Sequence, residues 1–172
     1  MLLRTARTLM ESITPTTAGR MVAGARMSQD RWHPEYPLAD EVDPLRSLAA
    51  DPSPDPVFTM YVIRRADDGL AIGGLGFSGP PDDEGAVEIG YGLVPSARGL
   101  GLATEAVQAA VGVAADHGAG VVRADTDTGN LPSQAVLLRS GFLEVGRDAS
   151  AVHFAWHPVV VPASLPAEGR RR

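Results

Sequence analysis

Apolar and polar positions repeat with two periods along this chain, near two in some stretches and near 3.6 in others, and the changes of period mark its elements. From Arg4 to Ile13 the residues are compatible with a strand. Thr14-Pro15 then supplies a helix cap followed by a proline at the first helical position, which predicts a short helix to about Ala25. Between Gln29 and Pro56, prolines at 34, 37, 44, 52, 54 and 56 interrupt every period. Only Leu45 to Ala50 reads as helical there, so the segment is predicted to be mostly loop, and a loop of that length in a small domain is often functional. Phe58 to Arg65 and Leu70 to Phe77 flank Asp67-Asp68-Gly69 as a hairpin, and a turn from Gly79 to Gly85 leads into a strand from Ala86 to Val94. In the longest helix, Gly99 to about His117, Ala103, Val107, Ala110, Val111 and Ala114 recur at helical spacing, and Gly118 and Gly120 stop it. Val121 to Asp127 reads as a strand, Pro132 to Ser140 as a helix ended by Gly141, and Phe142 to Val145 and Ala151 to Trp156 as closing strands. The fold class is therefore α/β (α+β): six or seven strands in a mixed sheet with about four helices. Residues 1–158 form one domain, and 159–172 are a tail rich in proline, alanine and arginine.

Composition narrows the chemistry. The chain has 172 residues, 44% apolar and 21% charged, with mean hydropathy −0.01, values of a globular protein with room for one core. No cysteine is present, which excludes disulfides, a thiolate nucleophile and Cys-ligated metal. Every basic side chain among the 15 is arginine, so a lysine Schiff base and a P-loop lysine are excluded too. A net charge of −6 argues against nucleic acid as a partner. No apolar run approaches a membrane span, and charge interrupts the opening Met1-Leu2-Leu3-Arg4 before a signal core forms, so no membrane partner and a cytoplasmic location are expected. His33, His117, His153 and His157 show no metal spacing, and no metal is expected.

Candidate chemistry concentrates between Val87 and Ala106. A strand passes through a glycine-rich turn into a helix, so that turn amides and the helix N-terminus can cradle an anion such as pyrophosphate. Gly99 and Gly101 lack a Cβ that would block a phosphate oxygen, Ala103 is nearly as small, and Arg98 adds a positive fork. The plainer alternative is a helix-starting turn with a surface arginine. Strand parity puts Glu88, Gly90 and Gly92 on one face and Val87, Ile89, Tyr91 and Leu93 on the other, unless a bulge intervenes. A carboxylate beside bare backbone suits an amine approaching a thioester; the alternative is a surface or hairpin-paired glutamate.

The run Glu88-Ile89-Gly90-Tyr91, then Pro95, Arg98, Gly101 and Ala103-Thr104-Glu105-Ala106, then Asn130-x-x-Ser133 and Arg139-x-Gly141-Phe142, resembles the GNAT superfamily of acyl-CoA N-acyltransferases. It is most similar to the branch of ribosomal-protein N-terminal-alanine acetyltransferases. The resemblance covers about residues 85 to 146, and Leu3 to Arg7 through Thr14-Pro15 is similar, less specifically, to that branch's opening. It implies a single-domain, mostly antiparallel sheet and acetyl-CoA as co-substrate. It also implies that amides of Leu100, Gly101, Leu102 and Ala103 hold the pyrophosphate beside Arg98 and Gly99, that the Val94 main chain meets the pantetheine arm, and that Asn130 and Ser133 lie at the cofactor. Many members carry, at the position of Leu137, a tyrosine that protonates the leaving thiolate; here Ser133, water or no acid takes that role. Asn130 also reads simply as a helix cap.

The reading is an acyl-CoA-dependent N-acyltransferase, moving acetyl to a primary amine of a small molecule or peptide N-terminus in a ternary complex, with Glu88 accepting the amine's proton. Trp32 and Tyr36, aromatics among the prolines of the 29–56 segment, are either a cap over the core or one wall of the acceptor pocket. Asp125 and Asp127 share a strand face and either hold an ammonium or mark a solvated strand end. Two other functions stay open: a non-catalytic acyl-CoA-binding sensor, favoured by the absent tyrosine, and a dinucleotide-dependent oxidoreductase, because Gly99-Leu-Gly101-Leu-Ala-Thr104 approaches a dinucleotide fingerprint. The acceptor, acyl length and oligomeric state are open, a homodimer among the alternatives.

Overall fold

The computed structural model describes residues 1–158, and the expected tail over 159–172 lies outside the described residues. Eight strands form one sheet: β1 (Leu2–Arg4), β2 (Thr8–Ser12), β3 (Met60–Arg65), β4 (Ala71–Phe77), β5 (Ala86–Leu93), β6 (Val121–Asp127), β7 (Leu143–Arg147) and β8 (Ala151–Trp156). Their order is β1-β2-β3-β4-β5-β6-β8-β7. All neighbours are antiparallel except β5 and β6, whose parallel pairing is the crossover through a helix. A doubly wound dinucleotide fold needs a mostly parallel sheet, so the oxidoreductase alternative is not supported. The helices are α1 (Pro15–Val22), α2 (Val42–Ala50), α3 (Leu102–Asp116) and α4 (Leu131–Arg139).

Two differences from the sequence reading have plain causes. The single strand expected over Arg4 to Ile13 is two, because Thr5 closes a turn without glycine or proline: its N–H donates to the Thr8 carbonyl (2.9 Å) and its hydroxyl accepts from the Thr8 N–H (2.9 Å). That turn raises the strand count to eight. Helix α2 begins at Val42 rather than Leu45, because Pro44 falls in the first turn, where its missing N–H removes no helical bond.

Met10, Ile63, Ile72, Leu75, Val107, Leu137 and Phe154, all within 2% of full burial, build the core between the sheet and its helices. Helix α3 presents Val107, Ala110, Val111 and Ala114 to it, the spacing read from the sequence, with Leu102 and Ala106 joining and Ala103 only half-buried. The segment between α1 and α2 is loop, and Arg26 organises it. Its guanidinium donates to the carbonyls of His33 (3.1 Å), Pro34 (3.0 Å) and Tyr36 (2.6 Å), and it lies over the Trp32 ring. Arg20 and Asp30 pair in two hydrogen bonds of 2.7 and 3.0 Å beneath it. The loop is thereby fixed where Leu38 to Glu41 can lie over the sheet.

Candidate active site

Strand β5 carries Glu88 and bare backbone on one face, as alternation demands. Val87, Ile89 and Leu93 are buried, whereas Glu88 and Gly90 are exposed. Pairing with β4 runs unbroken from Gly73 opposite Leu93 to Phe77 opposite Ile89, so no bulge disturbs the parity. Pairing with β6 ends early, at Glu88 opposite Arg123. Val94 donates its N–H to the Ile72 carbonyl (2.8 Å) and the Glu88 carbonyl accepts from Ser78 (3.0 Å), so even-numbered residues turn their main chain to β4 and odd-numbered ones toward β6. Past Glu88 the strands part, and the main chain of Tyr91 faces the opening. Val94, expected to meet the pantetheine arm through its main chain, is fully buried, with its N–H on the Ile72 carbonyl and its carbonyl accepting from Ala97 (2.9 Å).

A cavity of about 360 Å³ occupies this opening, lined by Gly90, Tyr91, Ala124, Thr126, Asn130 and Ser133 among others. The Tyr91 hydroxyl lies 2.9 Å from Ser133 Oγ and donates to the Ser133 carbonyl at 3.1 Å. Burial pushes the Tyr91 phenol up to about 12, against the opposing Ser133 hydrogen bond, so it keeps its proton at neutral pH. Asn130 caps α4, accepting from the Ser133 N–H at 3.2 Å, and it lines the cavity as well. Leu137 is wholly buried in the core and does not line this cavity. Thr126 Oγ1 is buried without a partner on the opposite wall. Asp125 and Asp127 also line this cavity, but Asp125 is paired to His153 (2.9 Å), whose imidazole Asp125 and Asp148 hold above its ordinary pKa.

Beyond β5 the chain makes a tight 3₁₀ turn, Pro95–Ala97, then Arg98, Gly99, Leu100 and Gly101 before α3. Arg98 is anchored by Nε on the Leu93 carbonyl (2.8 Å), with the rest of its guanidinium exposed. Gly99 and Gly101 have φ of 75° and 78°, the left-handed region that L side chains rarely adopt, and a Cβ on Gly99 would meet no protein atom within 4 Å. The first N–H groups of α3, those of Leu102 and Ala103 among them, have no acceptor within the helix. Behind the turn, Arg7 donates to the Leu100 carbonyl (2.8 Å) and pairs with Glu105 (2.5 Å), which also accepts from Thr5 (2.7 Å). Burial works to raise the Glu105 carboxyl, and the Thr5 and Arg7 hydrogen bonds outweigh it and hold it low.

A second cavity of about 280 Å³ lies on the β4–β5 face. Gly74 and Gly76 on β4 stand opposite Gly92 and Gly90 on β5 and pave its floor. Glu88 lines it, as do Asp40 and Glu41, which are delivered by the loop before α2. The close approach depends on glycine: a Cβ on Gly74 would lie 2.1 Å from Glu41 Oε1, and one on Gly92 would lie 2.6 Å from Leu38 Cδ1. The 29–56 segment thus forms a wall of this cavity, but through Asp40, Glu41 and Pro44 rather than the two aromatics expected. Trp32 is 8% exposed and Tyr36 1%, and both belong to the core. The two cavities share Asp40, Gly90 and Tyr91.

Asp40, Glu41, Tyr91 and Thr126 were not singled out from the sequence. Tyr91 sat within the strand motif, but parity placed it only on the face opposite Glu88, because nothing local announces that β5 and β6 part. Glu41 acquires its place from Gly74, far along the chain. Among the described residues no group of three or more His, Asp or Glu side chains is arranged to hold a metal ion, and no helix is long and apolar enough to cross a membrane.

Comparison with known proteins agrees with this geometry. The model of the acetyltransferase (GNAT) domain matches residues 7–143. The uncharacterized N-acetyltransferase YjdG of Bacillus subtilis is 31% identical over 100 residues, 58% of this chain; the matched stretch spans 60% of that relative's length. The ribosomal-protein-S5-alanine acetyltransferase of Vibrio fischeri shares the fold with a TM-score of 0.65 at 16% identity, covering 91% of this chain and 96% of that one. The ribosomal L7/L12 α-N-protein acetyltransferase RimL, solved in complex with coenzyme A, does so with a TM-score of 0.66 at 17% identity, covering 91% and 98%. With the family model covering most of the parted sheet, the glycine turn and both cavities, this chain belongs to the GNAT acetyltransferase family.

Proposed function

We propose that residues 1–158 act as one acyltransferase domain that moves an acyl group, acetyl in the first instance, from coenzyme A to a primary amine within a ternary complex. The observation that carries this reading is the meeting of two cavities at Gly90, Tyr91 and Asp40. One runs between β5 and β6 beside the glycine turn; the other lies on the β4–β5 face. Two substrates entering from opposite sides would touch there and nowhere else.

On this reading the pyrophosphate rests on the amides of Leu100 to Ala103, with Gly99 giving clearance and Arg98 a charge. The pantetheine amides pair with the open main chain of Tyr91, as a strand adds to a sheet edge. Glu88, directly or through water, takes the proton an ammonium must lose; the amine lone pair then attacks the thioester carbonyl carbon and the C–S bond breaks. The departing sulfur takes its proton from Ser133, whose hydroxyl is replenished by the second proton that the acylated nitrogen must shed and is supported by the un-ionised Tyr91 phenol. That pair stands in for the tyrosine that Leu137 replaces, which removes the sensor alternative's main support. With no cysteine or lysine in the chain, direct transfer is the economical route.

The test is free-thiol release from acetyl-CoA against a panel of small amines and N-terminal peptides. Release that depends on the amine and yields acetylated product supports the assignment. Coenzyme binding with no turnover for any acceptor would return the chain to the sensor reading.

A further inference from the structure

We propose that Arg7, in the turn between β1 and β2, is a positioning residue for the coenzyme: it holds the Leu100 carbonyl back from the pyrophosphate and so aims the Gly101 N–H at it. The inference rests on the acetyl-transfer reading above, which puts the pyrophosphate on the glycine turn, and adds the residue that keeps that turn competent.

The turn needs such a device. The peptide between Leu100 and Gly101 is trans, so its carbonyl oxygen and its N–H point in opposite directions and move as one unit. Rotating that unit changes only ψ of Leu100 and φ of Gly101, and glycine accepts either sign of φ. The residue that lets a phosphate oxygen come close therefore also lets the peptide turn over. A turned peptide would present a carbonyl oxygen to an anion. Leu100 is 57% exposed, so its side chain gives the turn little purchase, and among the described residues the Gly101 N–H has no acceptor to hold it.

The anchor comes from 93 positions earlier in the chain. Arg7 Nη1 donates to the Leu100 carbonyl at 2.8 Å while its Nε pairs with Glu105 Oε1 at 2.5 Å. Its Nη2 lies 3.1 Å from where a Gly101 Cβ would be, so the guanidinium sits against the back of the turn. The Arg7 main chain is itself fixed on both sides, its N–H donating to Glu105 Oε2 (3.1 Å) and its carbonyl accepting from the Ala66 N–H (2.9 Å). Glu105 is held in turn by the Thr5 hydroxyl (2.7 Å), and its own N–H donates to the Gly101 carbonyl (3.2 Å). Of the two peptide planes that flank Gly101, helix α3 thus fixes the second, and Arg7 fixes the first. Arg7 also neutralises Glu105, a carboxylate in the first turn of α3 whose charge would oppose an arriving anion. The two effects are separable.

The experiment titrates coenzyme A into wild type, Arg7→Met, Arg7→Lys and the double variant Arg7→Met with Glu105→Gln. Thiol release then gives kcat/KM for acetyl-CoA and for S-acetylpantetheine, which carries the thioester and the arm without the phosphates. Losing one charge-assisted hydrogen bond from a half-exposed arginine lowers the fraction of competent turns, so Arg7→Met should bind coenzyme A about three- to thirtyfold more weakly. The loss should appear in KM for acetyl-CoA, with kcat/KM for S-acetylpantetheine within about twofold of wild type. A general loss of structure would lower both donors alike. Arg7→Lys has one ammonium to share between the Leu100 carbonyl and Glu105 and should fall between wild type and Arg7→Met; it decides the matter if Arg7→Met does not fold. The double variant removes the uncompensated charge and should stay impaired, because the Leu100 carbonyl is still free. Undiminished coenzyme affinity in the folded single variants, an equal loss with both donors, or recovery in the double variant overturns the proposal and leaves the transferase reading intact. Failure of the wild type to bind coenzyme A, or absence of thiol release with every amine and peptide, overturns both.

Discussion

Replacing Glu41 by glutamine should change how folding stability depends on pH. Burial, opposed by the Leu38 hydrogen bond and reinforced by Asp40, raises the Glu41 carboxyl from 4.5 to about 7. Between those values the folded protein holds a proton that the unfolded chain has released. Stability from this group is therefore fully present below about pH 4.5, declines as pH rises, and is lost once pH passes about 7. At about 1.4 kcal/mol per pH unit the displacement amounts to roughly 3 kcal/mol, or roughly 6–12 °C in Tm for a chain of this size. Glutamine keeps an oxygen for the Leu38 N–H and does not titrate. Urea unfolding of both proteins at closely spaced values from pH 5 to 8 measures the difference directly. His153, held up by Asp125 and Asp148, is common to both proteins and cancels. Glu41→Gln should gain on wild type by roughly 3 kcal/mol across the range. A difference that stays constant with pH would refute the argument, because it would mean that the carboxylate is already compensated.

Three other substitutions separate the roles assigned above. Glu88→Gln keeps shape and removes basicity, so kcat should fall by about 10²–10⁴ with coenzyme affinity little changed, as single-turnover and equilibrium binding measurements would report. Gly99→Ala should cost about 1–2 kcal/mol, the left-handed penalty for an L side chain, and should weaken coenzyme binding in titrations; a folded variant with unaltered affinity moves the phosphate site elsewhere. Trp32→Ala removes a side chain only 8% exposed and should cost about 3–5 kcal/mol in unfolding experiments while leaving acceptor KM in place.

What the sequence disclosed and what it withheld divide along contact distance. The period of α3, the Asp67–Gly69 hairpin, the parity of Glu88 and the Asn130 cap are all decided by residues within a few positions of one another, and each appears in the structure as read. The misreadings involve partners far apart. Tyr91 escaped because its exposure depends on β6 turning away past Arg123. The N–H of Val94, whose main chain was expected to meet the coenzyme, is engaged by Ile72 on a different strand. Trp32 and Tyr36 could be read either as a core cap or as a pocket wall; both are core residues, in a loop whose carbonyls Arg26 gathers.

The same contrast explains why, of the two sides proposed for coenzyme and acceptor, the acceptor side is the harder to read in this chain. The coenzyme side is a consecutive run, strand then turn then helix, whose amides are positioned by local conformation and whose chemistry is nearly independent of side chains. The acceptor side is assembled from four glycines on two strands and a carboxylate delivered by a separate loop. Glycine is a poor strand former, losing more chain entropy than any other residue and packing nothing, so Gly74 opposite Gly92 is a local weakness in the sheet. The weakness becomes intelligible only when Leu38 and Glu41 are laid over it, because each occupies the volume a Cβ would need. A pair of strand glycines facing each other across a register, beside a loop that carries an acid pair, is thus a signal of close approach that could have been drawn from the sequence, once the register of β4 against β5 was known.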